Sequence, residues 1–126
     1  MYQEEVVGAL KAKTIGKSTI EGIKSTKITL KAVRNCAESK DVFIPLKWPK
    51  SAGYAMDGYK LYRATSKDGK YKMIAEFDAD DIRAYRDMNV KSGKTYYYKV
   101  RGYRYGNGTI YYTPYSGVIS ATGKKA

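Results

Sequence analysis

Between Val90 and Tyr105 the chain reads VKSGKTYYYKVRGYRY, and one parity of this stretch carries Tyr97, Lys99, Arg101, Tyr103 and Tyr105. Cations interleaved with flat phenolic rings have a defined chemistry. Ammonium and guanidinium groups attract phosphate or carboxylate, and rings stack on bases, sugars or peptide. With Lys60 and Tyr62 on a neighbouring strand, the mixture makes a candidate binding face for an anionic polymer, a wall polymer or nucleic acid, or for a protein. The same residue types also serve a plain structural purpose, because outward Tyr and Lys cover a sheet by cross-strand pairing.

Other chemistry is excluded by what the chain lacks. Among 126 residues there is no His and one Cys, Cys36. His-dependent acid–base catalysis and Ser-His-Asp or Cys-His arrangements cannot be built, and an internal disulfide cannot form. Zinc and iron lose their usual ligands. Asp78, Asp80 and Asp81 lack the spacing and glycine of a calcium loop and read as turn chemistry. Asn107-Gly108-Thr109 is formally a glycosylation sequon, yet Asn-Gly at a hairpin tip is explained by backbone geometry. No glycine loop followed by Lys-Ser/Thr is present to cradle phosphate. The sequence therefore offers no catalytic residue, no metal site and no cofactor, and an enzyme is not expected.

Charge narrows the partners. Twenty-four Lys and Arg against twelve Asp and Glu give +12, a field that favours anionic partners or a Lys-rich solubilising surface. No apolar run is long enough to span a membrane, and Met1-Tyr2-Gln3-Glu4-Glu5 is acidic where a signal peptide would be basic.

The elements that must position the face are strands. Tyr, Val, Ile and Thr split by Gly, Asp and Asn dominate, and no stretch concentrates helix formers. Lys27–Val33 alternates with Ile28 and Leu30 on one side. Val42, Ile44, Leu46 and Trp48 share a parity, with Pro45 on the other, which predicts an edge or a bulge there. Gly58–Ala64 puts Tyr59 and Leu61 inward, Lys60 and Tyr62 outward. Asp68-Gly69 predicts a hairpin with a positive-φ glycine before Tyr71–Phe77 returns. A short strand follows around Tyr85. The long strand buries Tyr96, Tyr98, Val100 and Gly102, where a mid-strand glycine predicts a bulge or close contact. Thr109–Tyr112 and Gly117–Ala121 form a last strand broken at Pro114. Seven strands without helices between them predict an all-β antiparallel two-sheet sandwich.

Several residues together carry a resemblance. Leu46-Lys47-Trp48, Gly58 to Arg63, Tyr85-Arg86-Asp87 and Val90 to Tyr96 resemble a fibronectin type III domain of the Tyr- and Lys-rich type found in Gram-positive bacterial surface or secreted proteins. The resemblance covers residues 25–122 and implies a seven-stranded immunoglobulin-like sandwich. It makes Trp48 the core Trp, with Tyr59, Leu61 and Val100 around it. It makes Tyr96 the corner tyrosine, its hydroxyl bonded to nearby backbone. Residues 1–24 are expected to be an extension, linker or extra edge strand, suited to docking on neighbours; Ser18-Thr19-Ile20-Glu21 matches a capping box, but Gly22 argues against a helix. Residues 123–126 read as a basic tail. The implied role is a non-catalytic spacer or adhesion module, extracellular or in the cell wall. Two alternatives stand beside it: a virion decoration protein, in a particle or host cytoplasm, and a small basic protein that binds nucleic acid through the Tyr/Lys face.

Deleting Trp48 to Ala is predicted to cost about 3–5 kcal/mol, and Tyr96→Phe about 1–3 kcal/mol by orphaning its partner. Urea melts check both; a Trp48→Ala protein as stable as the wild type would remove Trp48 from the core.

Overall fold

The computed structural model describes residues 13–33, 42–49 and 54–125. A helix, α1 (Lys17–Ser25), precedes β1 (Lys31–Ala32), β2 (Val42–Lys47), β3 (Gly58–Ala64), β4 (Lys72–Phe77), β5 (Ala84–Asp87), β6 (Thr95–Gly106), β7 (Thr109–Tyr112), β8 (Ile119–Thr122) and β9 (Lys124–Lys125). All strand pairings within the two sheets are antiparallel. The smaller sheet runs β1-β2-β5, with β9 also on β2; the larger runs β4-β3-β6-β7, with β8 also on β6. The core is shared by Ile44 and Leu46 from one sheet and Tyr59, Leu61, Tyr96, Tyr98 and Val100 from the other. This is the expected sandwich, its last strand delivered as β7 and β8 on either side of Pro114.

β6 organises the larger sheet because it is long enough to serve both neighbours. Its twelve residues pair with all of β3 on one edge, and with β8 and then β7 on the other. Tyr96, Tyr98, Val100 and Gly102 are buried, as the alternation predicts. A Cβ on Gly102 would meet Met56 and the Tyr59 ring at 3.0–3.3 Å, so the expected close contact is what the glycine serves.

The buried phenols and carboxylate inside the sandwich are matched. Tyr96 accepts a hydrogen bond at 2.8 Å from the Lys91 amide, the corner arrangement expected of it. Gly93 supplies the positive φ of the intervening turn. Tyr59 donates to Asp80 at 2.7 Å, which gives one residue of the acidic loop a structural partner. Trp48 packs edge-on to Tyr59 at 5.7 Å. Its indole N–H has no partner among the described residues, so its contribution to the core is apolar. Asp87, singled out in the sequence only as part of the resemblance, is 2% exposed. Asp87 pairs with Arg63 at 2.9 Å, accepts from Tyr98 at 2.7 Å and from the Asn89 amide at 3.1 Å. It joins β5 of one sheet to β3 and β6 of the other.

Several expectations need correction. Residues 17–25 form a helix, where Gly22 had argued against one and an edge strand was the alternative. Gly22 is there for packing: a Cβ would fall 2.1 Å from the Tyr54 ring. The capping box is not used, since the helix starts at Lys17 after Gly16 without a side-chain cap. Ile23 enters the core, and Asn107 holds the preceding segment by bonding both the N–H and the C=O of Ile15 at 3.0 Å. That use of Asn107 explains the residue better than a sequon does. β1 is two residues long, although Ile28 and Leu30 are buried on the predicted side. Pro45 lies in β2, which is interior to its sheet; the Val33 amide bonds the Pro45 carbonyl, and the ladder ends where Pro45 cannot return the bond. Gly69 is absent from the positive-φ residues; its value is the close approach of Ser66, whose Oγ would sit 2.3 Å from a Cβ. The basic tail pairs through Lys124 and Lys125 with β2. Cys36 and the loop around it lie outside the described residues.

Asp87→Ala would strand the Arg63 charge and the Tyr98 hydroxyl, and is expected to cost about 3 kcal/mol. Asp87→Asn, which keeps an acceptor, is expected to cost less. Denaturant melts of both variants at neutral pH measure the difference, and wild-type stability in Asp87→Ala would show the pair to be dispensable.

Candidate functional site

The outward face of β4-β3-β6-β7 carries the cations and rings singled out in the sequence. β6 contributes Lys99 and Arg101, two residues apart on one side; β3 places Lys60 directly opposite Arg101 and Tyr62 opposite Lys99. β7 brings Tyr112 opposite Tyr103. Pro114 ends β7, and the segment between β7 and β8 turns Tyr115 back over the sheet.

These side chains form one alternating row. Lys99 Nζ lies 4.5 Å from the Tyr71 ring centre and 4.0 Å from that of Tyr115. The Arg101 guanidinium follows, 4.6 Å from Tyr115 and 3.7 Å from Tyr112. Lys60 comes next, 5.1 Å from Tyr112 and 5.5 Å from Tyr103. Tyr62 closes the row from the side, edge-on to Tyr115 at 5.3 Å and accepting from Arg101 Nε at 3.2 Å. Each contact falls within cation–π range and contributes about 0.5–1 kcal/mol where exposed.

The electrostatics are unusual for so charged a chain. Among the described residues Arg63–Asp87 is the single ion pair. A ring quadrupole attracts a cation without cancelling its charge, and among the described residues no carboxylate pairs with Lys99 or Arg101. Burial would lower the Lys60 pKa, but the Tyr112 hydroxyl, bonded at 3.0 Å, and nearby Glu76 outweigh it and hold the ammonium above its usual value. Burial raises Tyr62, with Arg101 opposing.

The structure thus assembles Lys60, Tyr62, Lys99 and Arg101 as one patch. Tyr103 is on the predicted side but is 1% exposed, contrary to expectation. It faces Gly58, which has no side chain to hold it off, and its hydroxyl reaches the Phe77 carbonyl at 3.2 Å. Tyr105 stacks edge-on to Tyr103 at 5.4 Å at one end, and Tyr97 sits in register with Ala64 and Ser120 at the other. The sequence reading missed Tyr71 and Tyr115. Tyr115, 43% exposed, was signalled by its place after the strand-breaking Pro114. Beside it opens a hollow of about 770 Å³, lined by Lys27, Thr29, Pro114 and Val118 among others.

The comparisons with known proteins bear on the scaffold. No family model matches the sequence, and no characterised protein matches it at the sequence level. Solved structures do match. An Fn3-like protein from Clostridium thermocellum superposes with a TM-score of 0.53 at 24% identity, over 76% of this chain and 91% of that one. A human fibronectin type III domain gives 0.60 at 16% identity, over 88% and 84%. The fold is that of a fibronectin type III domain. The same fold occurs inside larger proteins: pectate lyase PelI from Erwinia chrysanthemi, solved with tetragalacturonic acid, gives 0.58 at 21% identity over 75% of this chain. The chain spans about 28% of that lyase's length. In this fibronectin type III frame the row lies on the four-stranded path of the larger sheet. Among the described residues no helix is long and apolar enough to cross a membrane.

Tyr62, Tyr98 and Tyr103 all have pKa values raised by burial first. A raised phenol pKa in the folded state means stability that is complete below the unfolded value of about 10 and lost as pH rises above it. Alkaline titration followed by phenolate absorbance and circular dichroism should show these tyrosines ionising together with loss of the β signal. Ionisation of every tyrosine near pH 10 with the fold intact would contradict this.

Proposed function

We propose that this chain is a non-catalytic fibronectin type III-like module, a spacer or adhesion domain of a bacterial surface or secreted protein, that engages its partner through the β4-β3-β6 face. The observation that carries this reading is the row of ring-held cations with no carboxylate bonded to Lys99 or Arg101 among the described residues. A sheet face that needed only solubility would not require its cations to be ordered at a cost in side-chain entropy. A face that meets an anionic surface gains from that order, because the side chains are already placed. The occurrence of the fold within longer bacterial proteins supports a modular use, with the chemistry elsewhere. The described part of the N-terminal region packs on its own chain through Ile23 and Ile15, so the sheet face is the better candidate surface.

The test is charge reversal on the face. Lys99→Glu/Arg101→Glu protein that keeps its circular dichroism spectrum should bind isolated bacterial envelopes at least about tenfold more weakly than wild type at low salt. The wild-type binding should itself weaken steeply as salt rises. Binding unchanged by the double substitution would refute the reading, as would measurable turnover of any polymer tested.

A further inference from the structure

Resting on that reading, we infer that the face takes a linear acidic polysaccharide, a carboxylate-bearing sugar chain, in preference to nucleic acid. The discriminating feature is which surfaces of the rings remain available. Sequence-tolerant binding of single-stranded nucleic acid needs open aromatic faces on which bases stack. Here the central rings of the row already carry cations. Tyr112 is covered by Arg101 at 3.7 Å and Lys60 at 5.1 Å. Tyr115 is covered by Lys99 at 4.0 Å and Arg101 at 4.6 Å. A base stacking on Tyr112 or Tyr115 would compete with a cation that the phosphate backbone would also need.

What the row presents outward is an array of hydrogen-bond donors. Lys99 makes no hydrogen bond to an acceptor among the described residues, and Arg101 spends only Nε, on Tyr62. Its terminal nitrogens keep the forked geometry that holds a carboxylate at two points. Tyr112 accepts from Lys60 and retains its own O–H to donate. The complementary ligand is therefore rich in acceptors, carries regularly spaced carboxylates and has no aromatic groups. Lys99 and Arg101 lie about 6.6 Å apart along the strand, and Lys60 lies one strand away, about 4.8 Å across. A uronate chain laid along β6 would meet Lys99 and Arg101 in turn along its length, with Lys60 beside Arg101 and a phenol beside its hydroxyls.

The experiment uses sodium polygalacturonate, its fully methyl-esterified neutral form, and oligothymidylate of matched total charge. Binding of each to the full chain is measured by calorimetry across a salt series. The expected result is that polygalacturonate binds at least tenfold more tightly than oligothymidylate, and that the ester does not bind. Lys99→Gln/Arg101→Gln should weaken polygalacturonate at least tenfold and lower the slope of log K against log salt by about two. Lys31→Gln/Lys47→Gln, which removes the same charge from the other sheet, should bind within about twofold of wild type and controls for non-specific charge effects. Equal or tighter binding of oligothymidylate overturns the inference. So does polygalacturonate binding that ignores Lys99 and Arg101. If polygalacturonate fails while envelope binding still depends on those two residues, the ligand class is wrong and the module reading stands. If neither binding depends on them, both fall.

Discussion

The interaction on which the outer face depends is the packing of cations against tyrosine rings in place of carboxylates. With twenty-four basic and twelve acidic residues, salt bridges cannot neutralise this chain. The rings on β3, β6, β7, the segment before β4 and the segment after Pro114 take the acids' place. A carboxylate would cancel a charge that it orients. A ring orients the charge and leaves it standing. Three cations in one row are thus held by tyrosines from five parts of the chain. The row exists only because β6 runs between β3 and β7 in one register.

The inner side of β6 solves the opposite problem. There Tyr96, Tyr98 and Val100 must leave water, and each phenol needs a partner. Tyr96 finds the Lys91 amide, and Tyr98 finds Asp87. Asp87 is the costlier solution, since a buried carboxylate tolerates no loss of its own partners. Arg63 answers it from β3, so one ion pair and one phenol tie the two sheets together at the end of the sandwich. β6 is thereby a strand whose two faces treat charge differently: paired inside, uncompensated outside.

How much of this the sequence discloses follows from the physics of each element. Period-2 alternation made β2, β3 and β6 legible, and the Trp48, Tyr96 and Pro114 spacings made the sandwich legible as well. Alternation gives the side of a strand, however, and not its cover. Tyr103 was placed on the correct side yet is buried, because Gly58 across the ladder leaves a gap that its ring fills. The helix at Lys17–Ser25 was hidden by Gly22, whose purpose is tertiary: it admits the Tyr54 ring. The pairing of Asp87 with Arg63 was not foreseen, since their meeting depends on two sheets closing. Tyr71 and Tyr115 complete the row from loop and turn positions, where no periodicity marks them.

The claim that the outer cations rest on ring faces with their charge intact is most directly tested by proton NMR of the lysine side chains. A methylene held over an aromatic ring is shielded by its ring current, so the ε-methylene protons of Lys99, between Tyr71 and Tyr115, should resonate well upfield of those of Lys67 and Lys70. The shift should persist in high salt and shrink in Tyr115→Ala, where only Tyr71 remains. Lys99 protons at the position of ordinary exposed lysines, unchanged in that variant, would contradict the arrangement on which the functional reading stands.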